Sequence, residues 1–115
     1  MLTINLAGFK MTTSKSTEIN NYAEENISRV EMCSAFIMHA FTRYDERPRA
    51  YSSGMFFASQ YAAYNYKNDS CEIMMHKIID AIESFITDEN AFNILKDQLS
   101  TGNPDDNEFL FNLFA

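Results

Sequence analysis

Apolar residues recur at helical spacing along most of the chain, from about residue 16 to the end. The segment 30–41, VEMCSAFIMHAF, is especially apolar, since nine of its twelve residues are hydrophobic. An ordinary surface helix buries only one face, so this segment predicts a helix that is covered on several sides. Either it is the central helix of a bundle, or its second apolar face joins copies of the chain in an oligomer.

Helix caps and apolar spacing together predict five helices. The first begins at Ser16 or Thr17 and ends before Pro48, because the residue before a proline avoids the helical region. Along it Val30, Ile37 and Tyr44 recur every seven residues, as in a coiled coil, and Asn26 interrupts a second such register. The second runs from residue 48 or 53 to 66. The third runs from 70 to 86 and is capped by Ser70 or Asp69, and the fourth runs from 87 to about 101 and is capped by Thr87. The fifth runs from 103 to the end and is capped by Asn103.

The first fifteen residues have a different pattern. Leu2, Ile4 and Leu6 alternate with polar residues, which is the spacing of a strand, but no second strand is found to pair with it. Glycine occurs three times and proline twice, too few for the turns of an all-β fold. The sequence therefore predicts an all-α fold, a four- to five-helix bundle, with an extended tail over residues 1–15 and one helical domain over 16–115.

Charge is distributed unevenly and restricts the class of partner. The 115-residue chain has a net charge of −7, and residues 51–115 carry the whole surplus, with ten acids against three lysines. Phosphate backbones and anionic membranes repel such a surface. We therefore expect a protein partner, and no direct binding to nucleic acid or to a membrane. Nor is there an apolar run of about 20 residues that could span a bilayer.

The two cysteines, Cys33 and Cys71, both lie within apolar helical patterns. They are interpreted as buried, reduced thiols, which is typical of a cytoplasmic protein. The first residues, MLTINLAGFK, lack the basic start and long apolar run of a secretory leader. The expected location is the cytoplasm.

Glu72, His76 and Asp80 follow one another at four-residue spacing, so a helix would place them on one face. Metal sites in helical bundles use such side chains when they project inward. Here the opposite face carries the apolar residues, so the three are interpreted as a solvated face. No metal, cofactor or catalytic residue is predicted.

Two basic or aromatic stretches are candidates for partner binding. Residues 43–49, RYDERPR, contain Arg43, Arg47 and Arg49, whose guanidinium groups bind carboxylates in two-point fashion. They either contact a partner or form salt bridges with neighbouring acids. Residues 51–66 are rich in tyrosine, which suits interfaces as well as cores. The candidates there are Tyr51, Tyr61 and Tyr64.

The acidic second half offers another contact surface. Its acids could imitate a row of phosphates and plug a nucleic-acid-binding channel, or simply keep the protein soluble. The candidate acidic face consists of Asp80, Glu83, Asp105, Asp106 and Glu108. In the first case the partner would be a nucleic-acid-binding complex.

The function expected from these features is a small acidic, non-enzymatic protein-binding module. It would act as an inhibitor or regulator by sterically blocking its partner, and such small acidic helical inhibitors are often encoded by phages and mobile elements. One alternative is the nucleic-acid mimic described above. The other is a small helical-bundle enzyme or ligand binder, which would show polar groups from several helices in a pocket. A binding module would instead show an exposed Tyr or Phe patch.

Overall fold

The computed structural model describes residues 9–47, 52–101 and 107–115. Over these ranges the chain forms six helices and no strand: α1 (Phe9–Glu25), α2 (Ile27–Phe41), α3 (Ser52–Asn65), α4 (Cys71–Phe85), α5 (Glu89–Thr101) and α6 (Asn107–Leu113). The all-α prediction is confirmed. Six helices occur where five were predicted, because the first predicted helix is divided in two. No helix of the described ranges is both long and apolar enough to cross a bilayer.

Asn26 divides the first predicted helix. Its backbone angles, φ −128° and ψ 43°, lie outside the helical region. Its side-chain Nδ2 donates to the Tyr22 carbonyl at 3.1 Å, which is the local competition with helical hydrogen bonds that asparagine offers. The Asn26 carbonyl then accepts from the backbone N–H groups of Arg29 and Val30, at 3.0 and 3.2 Å, and α2 begins.

Helix α1 begins earlier than predicted, at Phe9. The prediction of an extended tail over residues 1–15 is therefore wrong for residues 9–15, which are helical. The prediction for residues 1–8 lies outside the described residues. The alternation of Leu2, Ile4 and Leu6 ends before Phe9. It was therefore no basis for extending the predicted tail over residues 9–15.

The other helices agree with the predicted bounds to within a few residues where both ends are described. Ser70 caps α4, because its Oγ accepts from the Ile73 N–H at 3.3 Å. It is one of the two cap residues predicted for this helix. The cap of α5 is Asp88 rather than Thr87, because Asp88 Oδ1 accepts from the Ala91 N–H at 2.8 Å. The predicted cap at Asn103 lies outside the described residues.

Helix α3 is the centre of the bundle, since it packs against all five other helices. Between residues 54 and 65 only Phe56 is exposed, as expected for a helix that is apolar all round. The segment 30–41 is also covered on several sides, by α1, α3 and α4. Its buried residues are Val30, Cys33, Ile37, Ala40 and Phe41.

The close packing of α3 on α5 depends on Gly54. A Cβ atom added at Gly54 would overlap the backbone carbonyl of Leu99. No side chain larger than hydrogen fits without moving one of the two backbones. This contact sets how closely α5 approaches the central helix.

Helices α2 and α4 lie side by side and run in the same direction. At the start of both, the Arg29 side chain donates to the Asp69 carbonyl at 2.9 Å, immediately before α4. At the far end, Arg43 forms an ion pair with Glu83. The loop that follows α2 is thereby held against the end of α4.

Candidate protein-interaction surface

A compact loop over residues 42–47 follows α2 and presents Tyr44 to solvent. The backbone N–H groups of Tyr44 and Asp45 both donate to the Phe41 carbonyl at 2.9 Å. Asp45 Oδ1 accepts from the Arg47 N–H at 2.8 Å, the local turn that aspartate favours. These hydrogen bonds restrain the backbone on both sides of Tyr44.

Three aromatic rings form a row from the core to the surface. Phe41 is fully buried and its ring centroid lies 5.7 Å from that of Phe92. Phe92 in turn stacks on Tyr44, with the centroids 5.7 Å apart and the planes inclined by 29°. Tyr44 is 41% exposed. The outer ring therefore rests on the half-buried Phe92 ring and offers its remaining surface to solvent.

A groove of about 490 Å³ lies beside this aromatic row, and we name it the Tyr44 groove. It runs between the 42–47 loop and the start of α5. Its lining includes the rings of Tyr44 and Phe92 and two adjacent carboxylates, one of which caps α5. The lining residues are Tyr44, Ile86, Thr87, Asp88, Glu89, Phe92, Asn93 and Lys96.

Acids exceed bases around the Tyr44 groove. Arg43 is engaged with Glu83, and Arg47 Nε lies 4.0 Å from Asp45 Oδ1 while its side chain remains 88% exposed. These two contacts agree with the salt-bridge alternative for the arginine loop. Among the described residues, the charged side chains of the 42–47 loop, of its ion-pair partner and of the groove lining are the acids Asp45, Glu46, Glu83, Asp88 and Glu89 and the bases Arg43, Arg47 and Lys96. A surface with this balance favours a basic partner.

The tyrosines predicted as partner contacts lie partly or fully inside the bundle where they are described. Tyr61 is only 2% exposed and packs edge-on against Phe111, with centroids 5.6 Å apart, so its prediction as a partner contact is wrong for this fold. Tyr64 is half-buried, edge-on against Tyr22 at 5.8 Å. Both belong to the central helix, of whose residues between 54 and 65 only Phe56 is exposed. The predictions for Tyr51 and Arg49 lie outside the described residues.

The predicted acidic face is described only in part. Glu83 is half-buried and paired with Arg43, whereas Asp80 is exposed. Predictions for Asp105, Asp106 and the Glu108 side chain lie outside the described residues. The column Glu72, His76 and Asp80 is exposed throughout, as its interpretation as a solvated face expects.

A second cleft, of about 500 Å³, lies between α3, α4 and α6 and is lined by Asn65, Tyr66, Lys77, Asp80, Ala81, Ser84, Leu113 and Ala115. Lys77 Nζ donates to Asp69 Oδ2 at 2.8 Å and lies 5.2 Å from the centroid of the Tyr66 ring. Burial, followed by the nearby Asp69 carboxylate, raises the pKa of Tyr66 to about 12. Asn65 Nδ2 is buried without a hydrogen-bond partner.

The Tyr44 groove was missed at the level of sequence. The heptad spacing assigned Tyr44 to the buried register of Val30 and Ile37, yet α2 ends at Phe41 and Tyr44 lies in the loop. Its partner Phe92 is distant along the chain, and no local pattern connects the two. The arginine stretch 43–49 attracted attention through its charge, although it also contains Tyr44.

Comparison of the chain with protein-family models, curated proteins and solved structures finds no match.

Proposed function

We propose that this protein is a non-enzymatic protein-binding module that takes a basic segment of its partner into the Tyr44 groove. The observation that carries the proposal is the Tyr44 ring, 41% exposed, stacked on Phe92 and close to acidic residues. Tyrosine provides a large contact area with few rotatable bonds, so it loses little entropy on binding. The backbone hydrogen bonds of its loop lower that cost further.

An arginine or lysine side chain matches the groove chemically. Its cation would contact the exposed part of the Tyr44 ring, an attraction worth about 0.5–1 kcal/mol at exposed sites. Glu89, exposed in the first turn of α5, would pair with the same cation. Ile86 and Phe92 supply apolar surface for the aliphatic part of such a side chain.

A bound module of this size acts by occupying its partner's surface. We therefore further propose that it is an inhibitor or regulator, of the kind that phages and mobile elements encode, and that it acts in the cytoplasm. Size, charge and the two free cysteines support these proposals. Self-association remains a separate hypothesis, which sedimentation at two protein concentrations tests.

The second cleft favours one other function, the binding of a small polar ligand. Its polar groups come from two helices, and Asn65 Nδ2 lacks a hydrogen-bond partner. A ligand carbonyl or carboxylate oxygen placed there would satisfy that donor. This candidate corresponds to the enzyme or ligand-binder alternative.

The test uses two labelled peptides that differ only in charge: arginine alternating with Gly-Ser, and glutamate in the same positions. Fluorescence anisotropy with the full chain should show binding of the arginine peptide, weakening as salt is added. Tyr44→Ala should reduce this affinity about two- to fivefold, and Glu89→Lys by at least as much. Backbone NMR shifts on titration should be largest at residues 44, 86–89 and 92–96.

Matched control variants distinguish peptide binding in the Tyr44 groove from non-specific effects of charge and hydrophobicity. Glu72 stands in the first turn of α4 as Glu89 does in that of α5, so Glu72→Lys makes the same charge change elsewhere. Phe56 is 49% exposed on α3, and Phe56→Ala is the counterpart of Tyr44→Ala. Equal losses in the controls, equal binding of both peptides, or shifts centred on Asn65 would contradict the proposal.

A further inference from the structure

Arg47 presents the most exposed cation beside the Tyr44 groove. Its side chain is 88% exposed, and its Nε lies 4.0 Å from Asp45 Oδ1, at the outer limit for an ion pair. Arg43, near the start of the same loop, is instead paired with Glu83. Lys96 is half-buried. The Arg47 guanidinium is therefore available to a second molecule.

The position of Arg47 is restricted by the loop that also carries Tyr44. Three residues of fully extended chain span at most about 11 Å. The hydrogen bond from the Arg47 N–H to Asp45 Oδ1, at 2.8 Å, folds this segment into a turn and shortens the path. Tyr44 and Glu89 line the same groove. Arg47 and Glu89 thus belong to one surface patch, at the end of the bundle where α2 ends and α5 begins.

Glu89 provides the matching carboxylate in this patch. It is exposed in the first turn of α5, and no basic side chain among the described residues lies within ion-pair distance of it. In particular, Arg47 and Glu89 of the same chain are not paired with each other. The patch therefore holds an unpaired carboxylate together with a weakly paired guanidinium.

A patch that carries both an acid and a base can be complementary to itself. In a two-fold dimer every contact between two residues is formed twice, once in each direction. We propose that two copies of this chain pair through their Tyr44 grooves, with Arg47 of each copy bound to Tyr44 and Glu89 of the other. This inference rests on the function proposed above, because it identifies the basic segment in the groove as the loop of a second copy.

The two contacts suit an arginine. Its guanidinium presents a planar fork of N–H donors, which matches a carboxylate such as Glu89 in two-point fashion. The same plane stacks on aromatic faces, and Tyr44 offers its exposed ring surface beside that carboxylate. One side chain can therefore use both features of the groove.

The surplus of acids around the groove opposes this pairing less than their number suggests. Glu83 is neutralised by Arg43. Asp45 and Asp88 each accept a backbone N–H at 2.8 Å, which compensates part of their charge. The patch is small, however, and small interfaces are typical of weak, transient association. The fraction of dimer should therefore rise with protein concentration.

A dimer of this kind would occupy its own groove. A basic segment of another protein must then displace Arg47 before it binds, so self-association would regulate the function proposed above. Excess arginine peptide should convert the dimer into monomer. The Arg47→Glu chain should bind that peptide at least as tightly as the wild type, because the competing side chain has been removed.

The test is charge reversal, followed by sedimentation velocity at protein concentrations up to the millimolar range. Arg47→Glu and Glu89→Arg should each weaken dimerisation at least about fivefold, because each change replaces two attractive contacts by two repulsive ones. An equimolar mixture of the two variants should dimerise like the wild type. In the mixed dimer one copy supplies two acids and the other two bases, so both contacts again join opposite charges.

Lys67→Glu and Glu72→Arg are the matched controls, because both side chains are exposed and Glu72 stands in the first turn of α4 as Glu89 does in that of α5. Both should dimerise like the wild type. Cys71 is exposed as the first residue of α4, so the prediction that both cysteines are buried is wrong for it. All samples contain reductant, because an exposed thiol could join two copies by a disulfide.

Three results would overturn the dimer: a wild-type chain that is monomeric throughout, single reversals that still dimerise, or a mixture that stays monomeric. The arginine peptide separates this inference from the proposed function. Peptide binding by a chain that remains monomeric contradicts the dimer alone. Dimerisation that follows the charge reversals, without any peptide binding, contradicts the binding of a basic segment from another protein and supports the dimer.

Discussion

Arg29 Nη2 donates to the backbone carbonyl of Tyr66 at 2.8 Å, which joins the start of α2 to the residue that follows α3. The same nitrogen also contacts the Asp69 carbonyl and Met74 Sδ, at 2.9 and 3.0 Å. One guanidinium thus connects α2, the end of α3 and the start of α4. No pattern in the sequence distinguished this arginine from the others.

Replacing Arg29 by methionine should destabilise the fold. The apolar stem is kept, but the carbonyls of Tyr66 and Asp69 lose a charged donor in a partly buried place. We expect a loss of about 2–3 kcal/mol in the free energy of unfolding, measured by urea denaturation. Arg47→Met is the control, because the Arg47 side chain is 88% exposed. It should change the free energy of unfolding by less than about 0.5 kcal/mol. Similar losses in both variants would refute the role of Arg29.

Gly54→Ala should also destabilise the protein. On an exposed helix this change would stabilise by about 1 kcal/mol. Here the new Cβ would overlap the Leu99 carbonyl, so we expect a loss of about 1–3 kcal/mol from overpacking. Ser84→Ala, on an exposed part of α4, controls for helix propensity. A higher unfolding free energy for Gly54→Ala would show that α3 and α5 do not approach closely.

The two thiols should differ in reactivity toward Ellman's reagent. Cys71 is exposed, whereas Cys33 is fully buried and burial raises its pKa to about 12. The native chain should show one fast thiol and one protected thiol, because the thiolate is the reactive form and needs access. Cys71→Ser should remove the fast phase, and denaturant should expose the remaining thiol. Two fast thiols in the native chain would contradict the buried position of Cys33.

Stability should decrease in alkaline solution. The pKa values of Cys33 and Tyr66 are both raised to about 12, mainly by burial, from ordinary values of 9.0 and 10.0. Between these values and about 12, the unfolded chain loses protons that the folded chain keeps, so the free energy of unfolding falls as pH rises. The slope is at most about 1.4 kcal/mol per pH unit for each group. Urea denaturation of wild type and Cys33→Ala across this range should show a shallower slope for the variant, and equal slopes would exclude Cys33 as a cause.

The arginine loop can be distinguished from the Tyr44 groove as the contact site. If arginines contact the partner, Arg47→Glu combined with Arg49→Glu should abolish its binding without unfolding the chain. If the groove takes a basic segment, the same change adds negative charge nearby and should leave arginine-peptide binding unchanged or tighter. Anisotropy with the arginine peptide and with a partner captured from native lysate measures both outcomes.

Much of the architecture was predictable from local pattern. The cap at Ser70 and the apolar spacing after it located α4 to within a residue at each end. Asn26 was visible as an interruption of the apolar register, although only the structure showed that it ends one helix and begins another. Such features are local, because capping and helical periodicity depend on residues within one or two turns.

The sequence by itself determined that this chain is helical, roughly where its helices lie, and that its surplus charge is acidic. Only the tertiary structure decided that α3 is the central helix, that Tyr61 is buried while Tyr44 is exposed, and that Cys71 contacts Met32. The reason is physical. Periodicity records which face of a helix is apolar, but the neighbour of that face depends on long-range contacts, such as the approach of Gly54 to Leu99, that no local segment encodes.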